Sequence, residues 1–274
     1  SVINAPYGLG QWMVSESDIV PSDLTNYQYD LDAANDLLDE AGWGYQSDGS
    51  TEWTGPEDGY RHNASGEELE LGWLGTQSDY SDILANYLNP SMEAVGVNFT
   101  ARQAGFDQLL QNYYYAYQLD ESERDYTMYN LASSYTEVYD PYYTFHSDFL
   151  GTTYNPYQFE DSPANPAVDD FTEQAGHGFS WIVDNDSADD EAAANDYGLT
   201  VDEITEKMRR LSPDQTDQFL EYWEGLSLRL NRLVPIIPLY SNEYYHFANE
   251  RVEGFELTGF WDWQQDIVDW EIVE

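Results

Sequence analysis

A run of acidic residues at 184–191, DNDSADDE, carries side chains of the kind that bind calcium ions. The twelve-residue calcium loop needs an oxygen ligand at its fifth position, glycine at its sixth and glutamate at its twelfth. In this sequence Ala188, Asp189 and Asn195 hold those positions. We therefore interpret the run as part of an acidic surface loop and predict no metal site there.

The residue types of enzyme catalysis do not form a recognisable set. The sequence has no G-x-S-x-G, H-E-x-x-H or G-x-x-x-x-G-K-[ST] motif, and it has no cysteine to act as a nucleophile or a thiolate ligand. Its four histidines lack metal-ligand spacing: His62, His146, His177 and His246. Carboxylate pairs suited to glycoside hydrolysis are abundant only because acids are abundant. The sequence therefore predicts a protein without catalytic residues, metal or cofactor.

The charge balance narrows the choice of partners. Asp and Glu number 53 and Lys and Arg number 9, which gives a formal net charge of −44, and Lys207 is the only lysine. Such a surface repels phosphate groups, so nucleic acids and anionic membranes are predicted to be poor partners. Repulsion between the carboxylates also destabilises the folded chain, and salt relieves it by screening. The composition is therefore typical of a protein exposed to a cation-rich exterior.

The sequence carries no targeting or membrane-spanning signal of its own. No apolar run approaches the roughly 20 residues that cross a bilayer. The first residues, SVINAPYGLG, resemble neither an initiator sequence nor a signal peptide. We expect the chain to be a fragment of a longer protein.

Local patterns place helices and strands along the first half of the chain. Asp30 is predicted to cap a helix with one apolar face, and Gly42 is predicted to end it. The apolar positions of that face are Leu31, Ala34, Leu37, Leu38 and Ala41. Residues 45–66 are rich in Ser, Gly, Pro and acids and predict a long loop or hairpin.

After that loop, strand and helix patterns alternate. Strands are predicted at 69–75, 97–103 and 125–131, and helices at 79–95 and 105–114, with Pro90 kinking or splitting the first of these helices. This order predicts an α/β fold with a mostly parallel sheet flanked by helices. Trp73 is predicted to lie in its core.

The second half has a weaker pattern. Residues 151–200 are predicted to form surface loops around one short helix. A long helix is predicted from Asp214, and its apolar stripe comprises Phe219, Tyr222, Trp223, Leu226, Leu230 and Leu233. An extended apolar strand is predicted between Pro235 and Pro238. Core packing is the interpretation of Trp223 and of the pair Trp261 and Trp263.

Three segments in this order resemble a known family. DAANDLLDEAGW at 32–43, SDYSDILANYLNPSMEAVGV at 78–97 and LRLNRLVPIIPLY at 228–240 are similar to segments of the extracellular solute-binding protein family 5. This is the dipeptide- and oligopeptide-binding type that supplies ABC importers. The resemblance covers nearly the whole chain but only the carboxyl-terminal half of such a protein. It implies a periplasmic-binding-protein-like lobe (type II) with long acidic loops.

The resemblance also implies a ligand site in the segment SSYTEVYDPYYTF, residues 133–145. In peptide binders of the family an aspartate four residues before a proline pairs with the α-ammonium group of the peptide, and the matching residue here is Glu137. Tyr135 matches an aromatic wall of the cleft, and Tyr139, Asp140 and Tyr142 complete the predicted ligand-binding set. For Glu137 the alternative is a solvated surface carboxylate. For Asp140 the alternative is a turn in which its side chain bonds to its own backbone.

The family resemblance also implies how the whole protein is organised, where it is located and what it binds. It implies a two-lobe receptor outside the cell or on its surface, lipid-anchored through a missing amino-terminal part, with peptides or similar small solutes as ligands and an ABC permease as partner. Residues 1–235 would form the carboxyl-terminal ligand-binding lobe, and residues 236–274 a return segment that completes the other lobe. The alternative is a surface glycan-binding or glycan-cleaving domain, suggested by nine Trp and 24 Tyr beside many carboxylates. An all-β sandwich would favour that alternative.

Overall fold

The computed structural model describes residues 1–18, 23–113, 125–133, 135, 140–146, 198–242, 247–255 and 267–273. These residues belong to two structural units. Unit 1 holds the described parts of residues 1–27, 133–146 and 198–273, and unit 2 holds those of residues 28–132. The chain therefore passes from unit 1 into unit 2 between Tyr27 and Gln28, and returns between Ala132 and Ser133.

The described helices and strands alternate through the first half of the chain. In chain order they are α1 (Trp12–Glu16), α2 (Leu31–Glu40), β1 (Glu70–Thr76), α3 (Asp79–Ala94), β2 (Asn98–Ala104), α4 (Phe106–Asn112), β3 (Met128–Tyr129), α5 (Tyr142–Phe145), α6 (Val201–Arg209), α7 (Thr216–Leu233), β4 (Val252–Glu253) and β5 (Glu271–Ile272). No helix in this described part of the chain is both long enough and apolar enough to span a bilayer.

Unit 2 is built on a parallel sheet with the strand order β2-β1-β3. The predicted strands at 69–75 and 97–103 are confirmed within a residue, and the strand predicted at 125–131 is reduced to its two central residues. Trp73 on the middle strand is buried, as predicted, and lies in register with Ala101 and Met128. The predicted α/β fold with a parallel sheet flanked by helices is therefore confirmed.

Helix α2 begins at Asp30, as predicted, because the carboxylate of Asp30 accepts hydrogen bonds from the backbone N–H groups of Asp32 and Ala33, each at 3.0 Å. Its inner face packs against a core cluster of Leu69, Val95 and Val97 through Leu31, Ala34 and Leu38. The prediction was wrong for Leu37, which is 63% exposed, and for Ala41, which is exposed and follows Glu40, the last residue of the helix. The inner stripe follows positions 31, 34 and 38, and the helix turns Leu37 outward.

Helix α3 starts at a Ser78 cap and runs without interruption through Pro90. Of the two predicted effects of Pro90, a kink or a split, the split is therefore wrong, and the kink stays a prediction. Pro90 removes the hydrogen bond to the carbonyl of Asn86, and both residues are exposed, so water can solvate that carbonyl. Ile83 and Tyr87 are exposed on this helix as well.

A buried arginine joins three segments of unit 2. Arg61 is 1% exposed, and its guanidinium lies over the ring of Trp53, 4.0 Å from the centroid. It donates hydrogen bonds to four oxygens, which are Val95 O at 2.8 Å, Asn35 Oδ1 at 2.8 Å, Trp43 O at 2.9 Å and Asp39 Oδ1. Gly96 has φ +77° and lies so close that a Cβ there would be 2.6 Å from the Trp53 ring. The arginine thus connects α2, the loop after it and the end of α3.

Unit 1 is organised around α7. The predicted stripe is confirmed in its central part, since Trp223, Leu226, Leu230 and Leu233 are buried. The ring of Tyr7 from the first segment of the chain lies 6.0 Å from that of Trp223. Helix α7 therefore supplies the core surface to which the amino-terminal segment attaches.

Helix α6 was missed by the sequence analysis. Thr200 caps it, and the side chain of Glu203 bonds back to the backbone of Thr200, which forms a capping box. Val201, Ile204 and Met208 are buried on its inner face. The T-x-x-E spacing before an apolar period is the signal that could have predicted this helix.

The predicted strand between Pro235 and Pro238 is not formed. The described residues there make one isolated antiparallel bridge, between Val2 and Tyr240. The two prolines have no N–H to donate to a ladder, and Val234 leaves α7 in the left-handed region with φ 50°. The loops predicted at 151–197 and the pair Trp261 and Trp263 lie outside the described residues.

Candidate functional site

The carboxyl end of β3 is a topologically favoured position for ligand binding. The order β2-β1-β3 matches the beginning of the doubly wound order 2-1-3, in which the switch point lies between β1 and β3. In open α/β sheets, ligands bind beyond the carboxyl ends of the strands at such a point. The chain leaves β3 at Tyr129 and reaches Ser133, where the predicted ligand segment begins, four residues later.

The predicted ligand set is only partly covered by the described structure. Tyr135, Asp140 and Tyr142 are described, and all three belong to unit 1. Glu137 and Tyr139 lie outside the described residues, so the contact of Glu137 with an ammonium group stays a prediction.

Tyr135 is a half-buried phenol. It lies against Gly8, where an added Cβ would be 3.1 Å from the Cβ of Tyr135. Burial raises the pKa of Tyr135 to about 12, because a phenolate would lose its solvation there. The side chain is therefore neutral at physiological pH and can donate a hydrogen bond.

Asp140 forms the turn that was its alternative interpretation. Its Oδ1 accepts a hydrogen bond from the backbone N–H of Tyr142 at 3.1 Å, which starts α5 after Pro141. Its Oδ2 lies 3.9 Å from Nε of Arg209 on α6. Both carboxylate oxygens thus have partners within unit 1, and the described contacts of Asp140 are structural.

Tyr142 lies between a cation and a second ring. The guanidinium of Arg209 lies 4.6 Å from its ring centroid, and the ring of His146 lies 4.1 Å from it at an interplanar angle of 32°. A guanidinium over an aromatic face is attracted by the ring quadrupole. Tyr142 therefore serves, at least in part, to join α5 to α6.

His146 completes the attachment of α5 to α6. The residue is buried, and its two ring nitrogens face carboxylates one helical turn apart: Nδ1 lies 4.0 Å from Asp202 and Nε2 lies 3.7 Å from Glu206. The two carboxylates approach opposite sides of the ring, which is unsuited to joint metal ligation. No cluster of metal-ligating side chains occurs elsewhere in the described ranges either.

A shallow pocket of about 320 Å³ opens beside this contact, lined by Tyr142, Glu206, Arg209 and Arg210. Glu206 and Arg210 form an ion pair at 2.7 Å, one turn apart on the surface. The pocket thus combines an aromatic edge with charges of both signs. These groups can bind a polar solute, and they include no nucleophile paired with a base.

The sequence analysis did not assign Arg209, Arg210 and Glu206 to a site. Three of the nine basic residues fall within Lys207–Arg210, which is the one local signal that could have pointed to this helix end. The signal was missed because α6 itself was missed.

No model of a known protein family matches the sequence, and no curated protein sequence does so. Solved structures do match the fold. The oligopeptide-binding protein AppA from Bacillus subtilis, in complex with a nonapeptide, matches with a TM-score of 0.57 and 16% identity, covering 100% of this chain and 43% of AppA. NikZ from Campylobacter jejuni, in complex with Ni(L-His), matches with a TM-score of 0.51 and 17% identity, covering 99% of this chain and 43% of NikZ.

At these identities the matches establish the fold. The chain spans less than half the length of either protein. The fold that the sequence resemblance implied is thus confirmed, since this chain shares its fold with part of AppA and with part of NikZ.

Proposed function

We propose that this chain is part of the solute-binding component of an ABC importer, which captures peptides or similar small solutes outside the membrane. The observation that carries the proposal is the match of the whole chain to part of the oligopeptide-binding protein AppA. An α/β unit does not favour the glycan-binding alternative, which would suit an all-β sandwich.

The proposed mechanism is binding without covalent chemistry. A receptor of this kind takes a solute into a cleft, closes over it by bending, and presents it to a permease. We place the receptor outside the cell, lipid-anchored. The acidic surface keeps such a protein soluble and away from anionic lipids.

The proposed ligand is a peptide with a free α-ammonium group, held by Glu137. Glu137 stands where peptide binders of the family have aspartate, so its carboxylate reaches about 1.5 Å farther, by one carbon–carbon bond. Tyr135, Tyr139 and the edge of Tyr142 are the aromatic groups that we propose to contact the ligand as well. Tyr135 remains a neutral donor, which suits a peptide carbonyl.

The test is a thermal-shift titration of the 274-residue chain with millimolar peptide. A short peptide of neutral side chains is compared with its N-acetylated form, so that only the α-ammonium group differs. We expect the free peptide to raise the melting temperature and the acetylated peptide to have little effect. Ligand at about ten times its Kd stabilises by about 1.4 kcal/mol, a shift that melting curves resolve.

The matched variants are Glu137→Gln and Glu221→Gln, which remove the same charge. Glu221 is exposed on α7, so its substitution controls for non-specific attraction of a cation to an acidic surface. The shift should be lost in Glu137→Gln and kept in Glu221→Gln. Equal shifts from the free and acetylated peptides, or stabilisation by a nickel–histidine complex alone, would contradict the peptide proposal.

A further inference from the structure

Three Asn-x-Ser/Thr triplets with a residue other than proline in the middle occur in the sequence, and they begin at Asn63, Asn98 and Asn185. Such a triplet is the acceptor for N-linked glycosylation in proteins that leave the cytoplasm. Asn185 lies outside the described residues, whereas Asn63 and Asn98 both belong to unit 2. The structure therefore allows the first two triplets to be compared as acceptors.

The triplet Asn63-Ala64-Ser65 lies in a tight hairpin loop. The backbone N–H of Asn63 donates to the carbonyl of Glu67 at 3.0 Å, and the N–H of Gly66 donates to the carbonyl of Asn63 at 2.9 Å. Gly66 has φ +79°, which lets the chain reverse its direction there. Ala64 and Ser65 are exposed. The middle residue and the serine of the triplet are thus both open to an approaching enzyme.

The side-chain amide of Asn63 is held at the surface of this loop. Its Oδ1 accepts hydrogen bonds from the backbone N–H of Ser65 at 2.9 Å and from that of Glu67 at 3.0 Å, and its Nδ2 donates to the carboxylate of Glu67 at 2.6 Å. All three bonds are exposed. The reverse orientation would direct the NH2 group at two N–H donors, so the hydrogen bonds fix which atom is Nδ2. The bond from Ser65 makes an Asx-turn, which bends the triplet and brings the Asn63 side chain beside Ser65.

The triplet at Asn98 is in a different setting. It lies in β2, whose seven residues all pair with β1. Its middle residue, Phe99, packs against the core cluster that α2 also contacts, and Nδ2 of Asn98 donates to Glu68 at 2.7 Å in a partly buried position. A transferase has to reach both the asparagine amide and the hydroxyl of the triplet, so it could use Asn98 only after β2 had left β1. Of these two triplets, the one at Asn63 is accessible without unfolding.

We propose that Asn63 is a site of N-linked glycosylation. In the transfer, Nδ2 forms a bond to the anomeric carbon of a glycan that is carried on a polyprenyl phosphate. The bond between that carbon and the phosphate oxygen breaks, the polyprenyl phosphate leaves with the electron pair, and a proton of Nδ2 passes to a base of the transferase. The transfer leaves Oδ1 unchanged, so the two hydrogen bonds that it accepts remain. This inference rests on the proposed function in one respect, because the transfer takes place outside the cytoplasm.

Glycan transfer to the purified, folded 274-residue chain tests the site independently of solute binding and of location. The probe is an oligosaccharyltransferase that requires only the triplet, supplied with its polyprenyl-linked glycan. Proteolysis after glutamate separates the triplets, since Glu67 and Glu93 lie between Asn63 and Asn98, and mass spectrometry then measures the occupancy of each asparagine. We expect the occupancy of Asn63 to exceed that of Asn98 at least about tenfold, because only Asn98 requires local unfolding.

Synthetic peptides of residues 59–67 and 94–102 provide the unfolded reference. The peptide with Asn98 should accept the glycan at least as well as the peptide with Asn63, because the strand that protects Asn98 is absent. Equal occupancy of the two asparagines in the folded chain, or no transfer to Asn63, would overturn the proposal.

The matched variants are Ser65→Ala and Ser50→Ala, which remove the same hydroxyl group from two exposed positions of unit 2. Ser65→Ala keeps the backbone N–H that donates to Asn63, so the turn is retained while the triplet is lost. Transfer to Asn63 should disappear in Ser65→Ala and stay unchanged in Ser50→Ala. Transfer to Asn63 that survives Ser65→Ala would show that the triplet is not recognised, and would also overturn the proposal.

Mass spectrometry of the protein isolated from its own cells separates this inference from the proposed function. We expect a glycan on the peptide that contains Asn63. Unmodified Asn63 in protein recovered from outside the membrane would overturn the site and leave the proposed function standing. A glycosylated protein that binds no peptide would reject the proposed function and leave the site standing, and recovery of the protein only from the cytoplasm would overturn both.

Discussion

The guanidinium of Arg61 lies over the ring of Trp53, 4.0 Å from its centroid, in a protein with a formal net charge of −44. A buried cation is tolerated only when its donors are paired, and Arg61 reaches four oxygens. One of them belongs to Asp39, which is half exposed and brings a compensating charge. The pair Arg61 and Trp53 is thus the centre of a polar network in unit 2.

Arg61→Lys should lower the free energy of unfolding of unit 2 by on the order of 2 to 4 kcal/mol, because lysine keeps the charge but lacks the planar fork that meets four acceptors. Urea unfolding followed by tryptophan fluorescence measures the change. Arg102→Lys is the control, since Arg102 is exposed in the same unit and donates to Tyr126 on the surface at 3.0 Å. Similar midpoints for the two variants would show that the Arg61 network contributes little.

Two glycines separate the effect of backbone conformation from that of close packing. Gly42 and Gly96 both have positive φ, at +87° and +77°, but only Gly96 has neighbours that a Cβ would meet, at 2.6 Å from Trp53 and 2.8 Å from Arg61. Gly42→Ala should cost about 1 to 2 kcal/mol for the left-handed conformation alone. Gly96→Ala should cost about 1 to 3 kcal/mol more from overpacking. Equal losses in chemical unfolding would mean that Trp53 moves aside freely.

The melting temperature should rise with sodium chloride from low to molar concentration. With 53 acids and nine basic residues, most carboxylates have no cationic partner, and screening weakens their repulsion. Chloride is the suitable anion because sulfate would stabilise the fold by exclusion from the surface. A flat or falling trend would show that local pairing already accommodates the acids.

Stability should fall between about pH 10 and pH 12, and Tyr135 should account for part of the fall. Burial raises the pKa of Tyr135 to about 12 in the folded chain, above the value of 10.0 for an unperturbed phenol. The unfolded chain therefore loses this proton first, so the contribution of the neutral phenol is complete below pH 10 and is lost as pH rises through 12. Tyr135→Phe should flatten the pH dependence in that window, compared with its own stability at pH 8. An unaltered slope would place Tyr135 in solvent.

The sequence predicted those elements whose signals are local. The Asp30 cap, the strand β1 and the stripe of α7 each lie within one element, and the structure confirms them, although burial in β1 does not alternate because Trp73, Leu74 and Gly75 are all buried. The exposure of Leu37 could not be predicted from the sequence. A leucine next to the apolar stripe of a helix has nearly the same spacing as the residues within that stripe. The prediction of a strand at Pro235 was wrong because it gave more weight to the apolar run than to the missing N–H groups of the two prolines.

Less of the candidate site could be predicted from the sequence, because its contacts join residues that are far apart in the chain. Asp140 and Tyr142 meet Arg209 across more than sixty positions. Neither pairing leaves a periodic signal. The family resemblance supplied the segment 133–145, while the attachment of that segment to α6 came only from the structure.

The order of the strands has a kinetic consequence. β1 and β2 are joined by a single helix and pair along seven residues each, whereas β3 pairs along two and arrives only after a further helix and connection. Short-range pairing closes faster than long-range pairing, so β1, α3 and β2 are expected to form the folding nucleus and β3 to join it after the barrier. Substitutions around Met128 and Tyr129 would then accelerate unfolding and leave the refolding rate nearly unchanged. The strand that leads into the predicted ligand segment would be the last of this sheet to assemble during folding and the first to detach from it.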